Sequence, residues 1–171
     1  MERRFRLGSL YYGDARQLIQ KLPDGCVNLI LTDPPYGLGT DEYDDGDLLF
    51  ELEPELWRVA ASDAWLVFYW STKLLPKAFE LRHFEYVWLL VCLLQNSPTR
   101  TPIGGAHYQA VLVFKKGEPK LNMRMSDIIY STDLFKPVKD PQFKCTASIG
   151  SLIQTFSKPG DLVLDLSLIH I

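Results

Sequence analysis

Four consecutive residues carry the clearest chemistry in the chain: Asp33, Pro34, Pro35 and Tyr36, within the stretch "LILTDPPYGLG". The prolines set two φ angles and remove two backbone donors, which leaves their carbonyls to accept from a group outside the chain. Asp33 adds a carboxylate acceptor and the Pro34 carbonyl a second, while Tyr36 presents an aromatic face at a position held by a stiff turn. A planar group bearing an amine would satisfy all three, stacking on Tyr36 and donating two hydrogen bonds. Gly37 and Gly39 let the backbone approach closely or move. An Asp-Pro turn leaving a strand, with Tyr36 packed as core, accounts for the same four residues when they are taken without context.

The elements that must position these residues follow from the apolar pattern. "VNLILT" is a short apolar run suited to a buried strand, and it delivers Asp33 at its C-terminal end. Before it, "LGSLYYG" reads as a strand. Asp14 then caps a helix "ARQLIQKL", with Gln17 completing a capping box. After an acidic stretch, Pro54 is placed in the first turn of a helix "PELWRVAA". "AWLVFYW", "YVWLLVCLLQ" and "YQAVLVFKK" read as strands, and "KLLPKAFELRHF" between the first two reads as a helix. Residues 96 to 107 form a Pro/Gly-punctuated loop and 116 to 146 a longer, mostly irregular one. "SIGSLIQTF" is helical, "SKPGD" a turn, and "LVLD" begins a last strand.

This alternation predicts an α/β fold with a mostly parallel sheet and helices on both faces. Ligands of such sheets sit beyond the carboxyl ends of the strands. Asp14, Asp33 and Asp165 each follow a predicted strand, so they are candidates for one crevice. An acid after a strand is also a common cap or turn residue, and for Asp14 the cap is sufficient.

The 171 residues, 47% of them hydrophobic, suit a single domain. No long apolar run follows the basic N-terminus and none reaches membrane-spanning length, which leads to the expectation of a soluble, cytoplasmic protein. Cys26, Cys92 and Cys145 are odd in number and far apart, supporting neither a disulfide framework nor a zinc site. Charge is unevenly spread: Asp41, Glu42, Asp44, Asp45, Asp47, Glu51, Glu53 and Glu55 occur without a basic residue among them. Lys115, Lys116, Lys120, Arg124, Lys136, Lys139 and Lys144 then outnumber Glu118, Asp127, Asp133 and Asp140. A local basic surface can survive an acidic total, although charge alone reads both stretches as solvated loops. Trp57, Trp65, Trp70 and Trp88 read as core, although Trp70 and Ser71 stand at a strand's end, a position from which both can line the pocket.

"TDPPY" at the end of an apolar strand resembles the catalytic motif of the S-adenosylmethionine-dependent DNA amino-methyltransferases. "GDARQLIQKLPDGCVNLILTDPPYGLG" resembles that family from its Gly-Asp turn onward, and "DPQFKCTASIGSLIQTFSKPGDLVLD" resembles its His-Pro-Thr-x-Lys-Pro, helix, Pro-Gly-Asp, strand segment. Both matches fit in this order only in the permuted beta class, where the catalytic half precedes the cofactor half. The resemblance implies a Rossmann-like methyltransferase sheet within one domain: catalytic half 1–115, short target-recognition segment 116–139, partial cofactor segment 140–171.

What it implies for function is transfer of a methyl group from S-adenosylmethionine to the exocyclic amine of a base rotated out of double-stranded DNA. Asp33 and the Pro34 carbonyl would accept from that amine, with Pro35 stiffening the turn and Tyr36 stacking on the ring. Acceptors outside the ring plane favour a tetrahedral nitrogen whose lone pair can attack in line. Asp at the first position points to adenine N6 as a family tendency; the alternatives are cytosine N4 and an inactive truncated remnant that at most binds nucleic acid. Asp14, Asp33, Lys144 and Asp165 would serve the cofactor. Lys115, Lys116, Lys120 and Arg124 would contact DNA phosphates. A homodimer is compatible with the family, and no membrane partner is implied.

The sequence departs from the family at Asp140 and Cys145, where histidine and proline are usual. After "GDLVLD" the family continues with Pro-Phe and a Gly-x-Gly loop, whereas here "LSLIHI" follows. The expectation is therefore a chain truncated within its cofactor half, with a sheet position left open between the strands ending at Asp165 and Asp14.

Overall fold

The computed structural model describes residues 2–5, 8–37, 46–93, 100–105, 107–130 and 146–166. A hairpin of β1 (Glu2–Phe5) and β2 (Gly8–Tyr11) leads to α1 (Ala15–Leu18), which tightens into a 3₁₀ turn over Ile19–Lys21. Then come β3 (Val27–Thr32), α2 (Leu48–Val59), β4 (Ala60–Trp70), a 3₁₀ turn over Thr72–Leu74, and α3 (Leu75–Ala78). The remainder is β5 (Glu85–Leu93), a small hairpin of β6 (Arg100–Thr101) and β7 (Gly104–Gly105), β8 (Tyr108–Lys116), β9 (Ile128–Tyr130), α4 (Thr146–Phe156) and β10 (Val163–Leu164).

Six strands form one sheet in the order β10-β3-β4-β8-β5-β9. β3 is parallel to β10 and β4, while β8 is antiparallel to both β4 and β5, and β5 is parallel to β9. Five strands therefore share a direction and β8 alone runs against them. From Ala64 to Trp70 every residue of β4 is buried, because both faces are covered. On one face Leu66, Phe68 and Trp70 meet α2 through Leu49, Leu52 and Leu56. On the other, Val67 and Tyr69 share a core with Leu152 and Phe156 of α4.

Several expectations are corrected. Pro54 lies inside α2, not in its first turn. An interior proline costs a helix about 3 kcal/mol, but Leu49, Leu52, Leu56 and Val59 continue one buried stripe past it, and Pro54 itself faces solvent. Burial of the stripe outweighs the local preference. The helix expected over "KLLPKAFELRHF" reduces to the 3₁₀ turn and α3. In the expected loop after residue 116, β9 adds an edge strand. The strand preceding Asp14 pairs with β1 in a separate two-stranded sheet, a local closure that costs less chain entropy than a distant pairing. Trp88 is 57% exposed, while Trp70 and Trp65 are buried.

The acidic stretch is not a solvated loop where the structure describes it. Asp47 pairs with Lys77, Glu51 with Arg16, and Glu55 with Arg58. Glu53 is buried, accepting from the amides of Arg82 and His83 at 2.7 Å each. Residues 38–45, and the predicted roles of Gly39, lie outside the described residues.

Candidate active site

β3 ends at Thr32, so Asp33 stands at the carboxyl edge of the sheet, where loops replace ladder bonds. Asp33 is half-buried, and the Tyr36 hydroxyl donates to its Oδ1. Pro34 is buried, with Pro35 and Tyr36 half-buried, so the stiff turn seats Tyr36 at the rim of the core. The Tyr36 ring stands at 84° to the Trp70 indole, with centroids 5.6 Å apart. Trp70 is fully buried; Phe50 and Phe68 meet it edge-on at 5.8 and 5.7 Å, and its Nε1 donates to the Leu74 carbonyl at 2.8 Å. Aromatic pairs of this kind contribute about 0.5–1.5 kcal/mol each beyond area burial.

The chain returns to this site at Gly46. Lys77 Nζ reaches Asp47 Oδ1 at 2.5 Å and the Gly46 carbonyl at 3.2 Å, and lies 5.2 Å from the Phe50 ring centroid. Asp165 is exposed beyond β10. Val163 and Leu164 pair with Leu29 and Ile30, so standard strand spacing puts the Asp165 and Asp33 α-carbons roughly 8 Å apart. Asp14 is exposed and caps α1, accepting from the Arg16 amide at 2.8 Å. Arg16 in turn grips Glu51 in the first turn of α2 through Nε at 2.9 Å and Nη2 at 2.8 Å. Asp33 and Asp165 thus stand at one end of the sheet, and Asp14 is tied through Arg16 to the start of α2 rather than carried by a neighbouring strand.

The architecture has counterparts of known structure. The M1.HpyAVI–SAM complex superposes with a TM-score of 0.66 at 22% identity, over 91% of this chain and 80% of that one. PvuII DNA methyltransferase, whose name specifies cytosine N4, gives 0.69 at 16% identity, over 91% and 72%. This is the methyltransferase fold. By sequence the chain is similar to YubD of Escherichia coli (strain K12), whose name calls it a methylase: 27% identical over 168 residues, 90% of this chain and 72% of YubD. It is also 29% identical over 129 residues to the type II methyltransferase M.BamHI of Bacillus amyloliquefaciens, covering 67% of this chain and 30% of that protein. No protein-family model matches.

Within this methyltransferase fold the predicted basic residues separate from the acids. β8 runs antiparallel, so Lys116 pairs with Ala64 and Lys115 with Trp65, whereas Ala110 pairs with Trp70. Six strand residues, about 20 Å, divide Lys116 from the Asp33 end. Lys116 Nζ binds the Trp57 and Ala60 carbonyls at 2.7 and 2.8 Å and lies 4.6 Å from the Trp57 ring centroid, closing the C-terminus of α2. Lys115 pairs with Glu118 at 2.9 Å and Glu85 at 3.6 Å. The Glu118 hydrogen bond is the main cause holding the Lys115 ammonium above its ordinary pKa.

Lys120 and Arg124 are exposed on the segment that follows. That segment crosses the face carrying α4: Asn122 binds the Gln154 and Thr155 carbonyls, Met125 packs on the core, and Asp127 accepts from Val91. Since Val91 pairs with both Ala110 and Ile128, the segment starts at the far end of the sheet and finishes level with Trp70. Lys120 also lines a cavity of about 370 Å³ with Asn28, Trp65 and Lys158, beside the amino ends of β3 and β4 and so opposite Asp33. Lys144 lies outside the described residues.

The sequence pattern favours core for Trp70 over a place lining the pocket, and it does not single out Phe50, Gly46 or Lys77. Trp70 carried a usable signal, since it ends an apolar strand as Thr32 does before Asp33. Lys77 carried none, its partners lying 30 and 31 residues away.

Proposed function

We propose that the chain is an S-adenosylmethionine-dependent DNA methyltransferase acting on the N6 amine of a flipped adenine. The observation that carries the reading is the Asp33–Tyr36 turn, standing at the carboxyl edge of a methyltransferase sheet with Asp165 just past the end of the adjoining strand. A neighbour named as a DNA methyltransferase, and a neighbour named as a SAM complex, support it.

In this reading, Asp33 and the Pro34 carbonyl accept hydrogen bonds from the exocyclic amine, drawing its lone pair out of conjugation with the ring. Pro35 keeps those acceptors from shifting. Tyr36 stacks on the base and resists its return to the duplex, since a flipped base has lost its stacking partners. The carboxylates of Asp14 and Asp165, with Lys144, are the groups for the cofactor. As acceptors, the two acids suit a ligand that carries an amine and an ammonium. When bound, S-adenosylmethionine supplies an electrophilic methyl group. The residues of the chain contribute positioning and charge without a covalent intermediate.

Catalytic half 1–115, target-recognition segment 116–139 and cofactor segment 140–171 within one domain belong to the same proposal. So do phosphate contacts at Lys120 and Arg124. Lys115 and Lys116, held by Glu118 and by α2, are the weaker members of that set. Cytosine N4 is the second reading, favoured by the likeness to PvuII DNA methyltransferase; the leading Asp33 favours adenine.

The test is incubation with double-stranded DNA and methyl-labelled S-adenosylmethionine, followed by digestion to nucleosides. Labelled N6-methyladenine is the expected product. Labelled N4-methylcytosine would select the second reading, and a chain that transfers no label to either base would overturn both.

A further inference from the structure

The geometry points to Trp70 as a positioning residue for the base pocket, acting through Tyr36 on Asp33. This rests on the pocket reading above and adds a residue from a different strand. Pro34 and Pro35 set the backbone path to Tyr36 but leave its side-chain torsions open. The prolines therefore do not decide the direction of the ring.

The Tyr36 hydroxyl donates to Asp33, and the ring stands perpendicular to the Trp70 indole at 5.6 Å. The indole cannot yield. It is fully buried, edge-on to Phe50 and Phe68, and its Nε1–Leu74 hydrogen bond of 2.8 Å blocks rotation of the ring. One line of contacts thus runs from the Leu74 carbonyl through Trp70 and Tyr36 to the Asp33 carboxylate. It holds both the stacking surface and the acceptor of the proposed reaction. A half-buried tyrosine without that wall would sample other rotamers, and Asp33 would lose a donor that orients it. A phenylalanine at position 70 keeps an aromatic wall but lacks the donor to Leu74, and a leucine lacks both.

The experiment uses Trp70→Phe, Trp70→Leu, Tyr36→Ala and the Trp70→Leu/Tyr36→Ala double variant in the full chain. The first readout needs no substrate: NMR of ring-labelled tyrosine, with Tyr36 assigned by its loss in Tyr36→Ala. Trp70→Leu is expected to move the Tyr36 ring signals toward those of an exposed tyrosine, and Trp70→Phe to move them less in the same direction. Tyr36 signals identical to the parent's in both variants would overturn the inference. If Trp70→Leu does not fold, Trp70→Phe decides the matter by the same criterion.

The second readout is methyl transfer. Trp70→Leu is expected to lower kcat roughly tenfold with KM changed by no more than about twofold, and Trp70→Phe to recover most of the loss. In the Tyr36→Ala background, Trp70→Leu should cost nothing further; fully additive losses would show a merely structural role and overturn the proposal. A parent chain that transfers no methyl group defeats the functional reading, while the ring signals still decide whether Trp70 holds Tyr36.

Discussion

The backbones of Gly37 and Gly46 meet where the chain leaves the Asp33–Tyr36 turn and where it returns. A methyl group at Gly37 would lie 2.8 Å from the Gly46 α-carbon, and one at Gly46 would lie 2.7 Å from the Tyr36 carbonyl oxygen. Gly37 also takes a φ of +72°, which L side chains rarely adopt. The contact pins the start of α2 against the residue that follows Tyr36.

Gly37→Ala therefore faces both backbone strain and a clash with main-chain atoms that have no flexible end to move. Stability should fall by about 2 kcal/mol, read as a lower denaturant midpoint at unchanged slope. Gly46→Ala should lose a similar amount. Since one contact is at stake, the double variant should lose less than the sum. An unchanged midpoint in both single variants would remove the contact from the account.

Asp33→Ala tests the pocket directly. The carboxylate is half-buried at a loop, so folding should change by no more than about 1 kcal/mol. Methyl transfer should fall at least about a hundredfold. Transfer kept near the parent rate would reject Asp33 as an amine acceptor.

Pro54→Ala should stabilise the chain. Pro54 is exposed in the interior of α2, and alanine restores an amide donor where proline has none. Part of the gain is offset because the unfolded chain becomes more flexible, leaving a net increase of about 1–2 kcal/mol. Thermal unfolding would show it, and a lower midpoint would mean that the proline itself is needed to seat Leu56 and Val59.

Lys116→Met separates structure from DNA contact. Removal of the ammonium from the Trp57 and Ala60 carbonyls and from the Trp57 ring should cost about 1–2 kcal/mol of stability. Its effect on DNA binding should be small beside that of Lys120→Ala combined with Arg124→Ala, which should weaken binding and flatten its salt dependence. Equal losses of DNA affinity would place Lys116 at the nucleic acid after all.

Much of this fold was legible because its strands are apolar runs of ordinary strand length bounded by turn residues. "VNLILT" and "YQAVLVFKK" coincide with β3 and β8, and Asp33 falls where the run stops. Pro54 misled because local preference was weighed without the stripe Leu49, Leu52, Leu56, Val59. β9 was missed because three residues carry too little pattern, and it exists only by pairing with β5.

The sequence by itself determined the make-up of the turn: a carboxylate, two prolines and a tyrosine in succession at the end of an apolar strand. It also determined the alternation of strand and helix, since apolar periodicity is local. Tertiary structure alone decided the direction of β8, which takes Lys115 and Lys116 to the far end of the sheet. It alone set Trp70 against Tyr36 and Lys77 against Asp47, across 34 and 30 residues of chain. Strand direction and side-chain apposition depend on which surfaces bury each other, and no spacing along the chain records that choice.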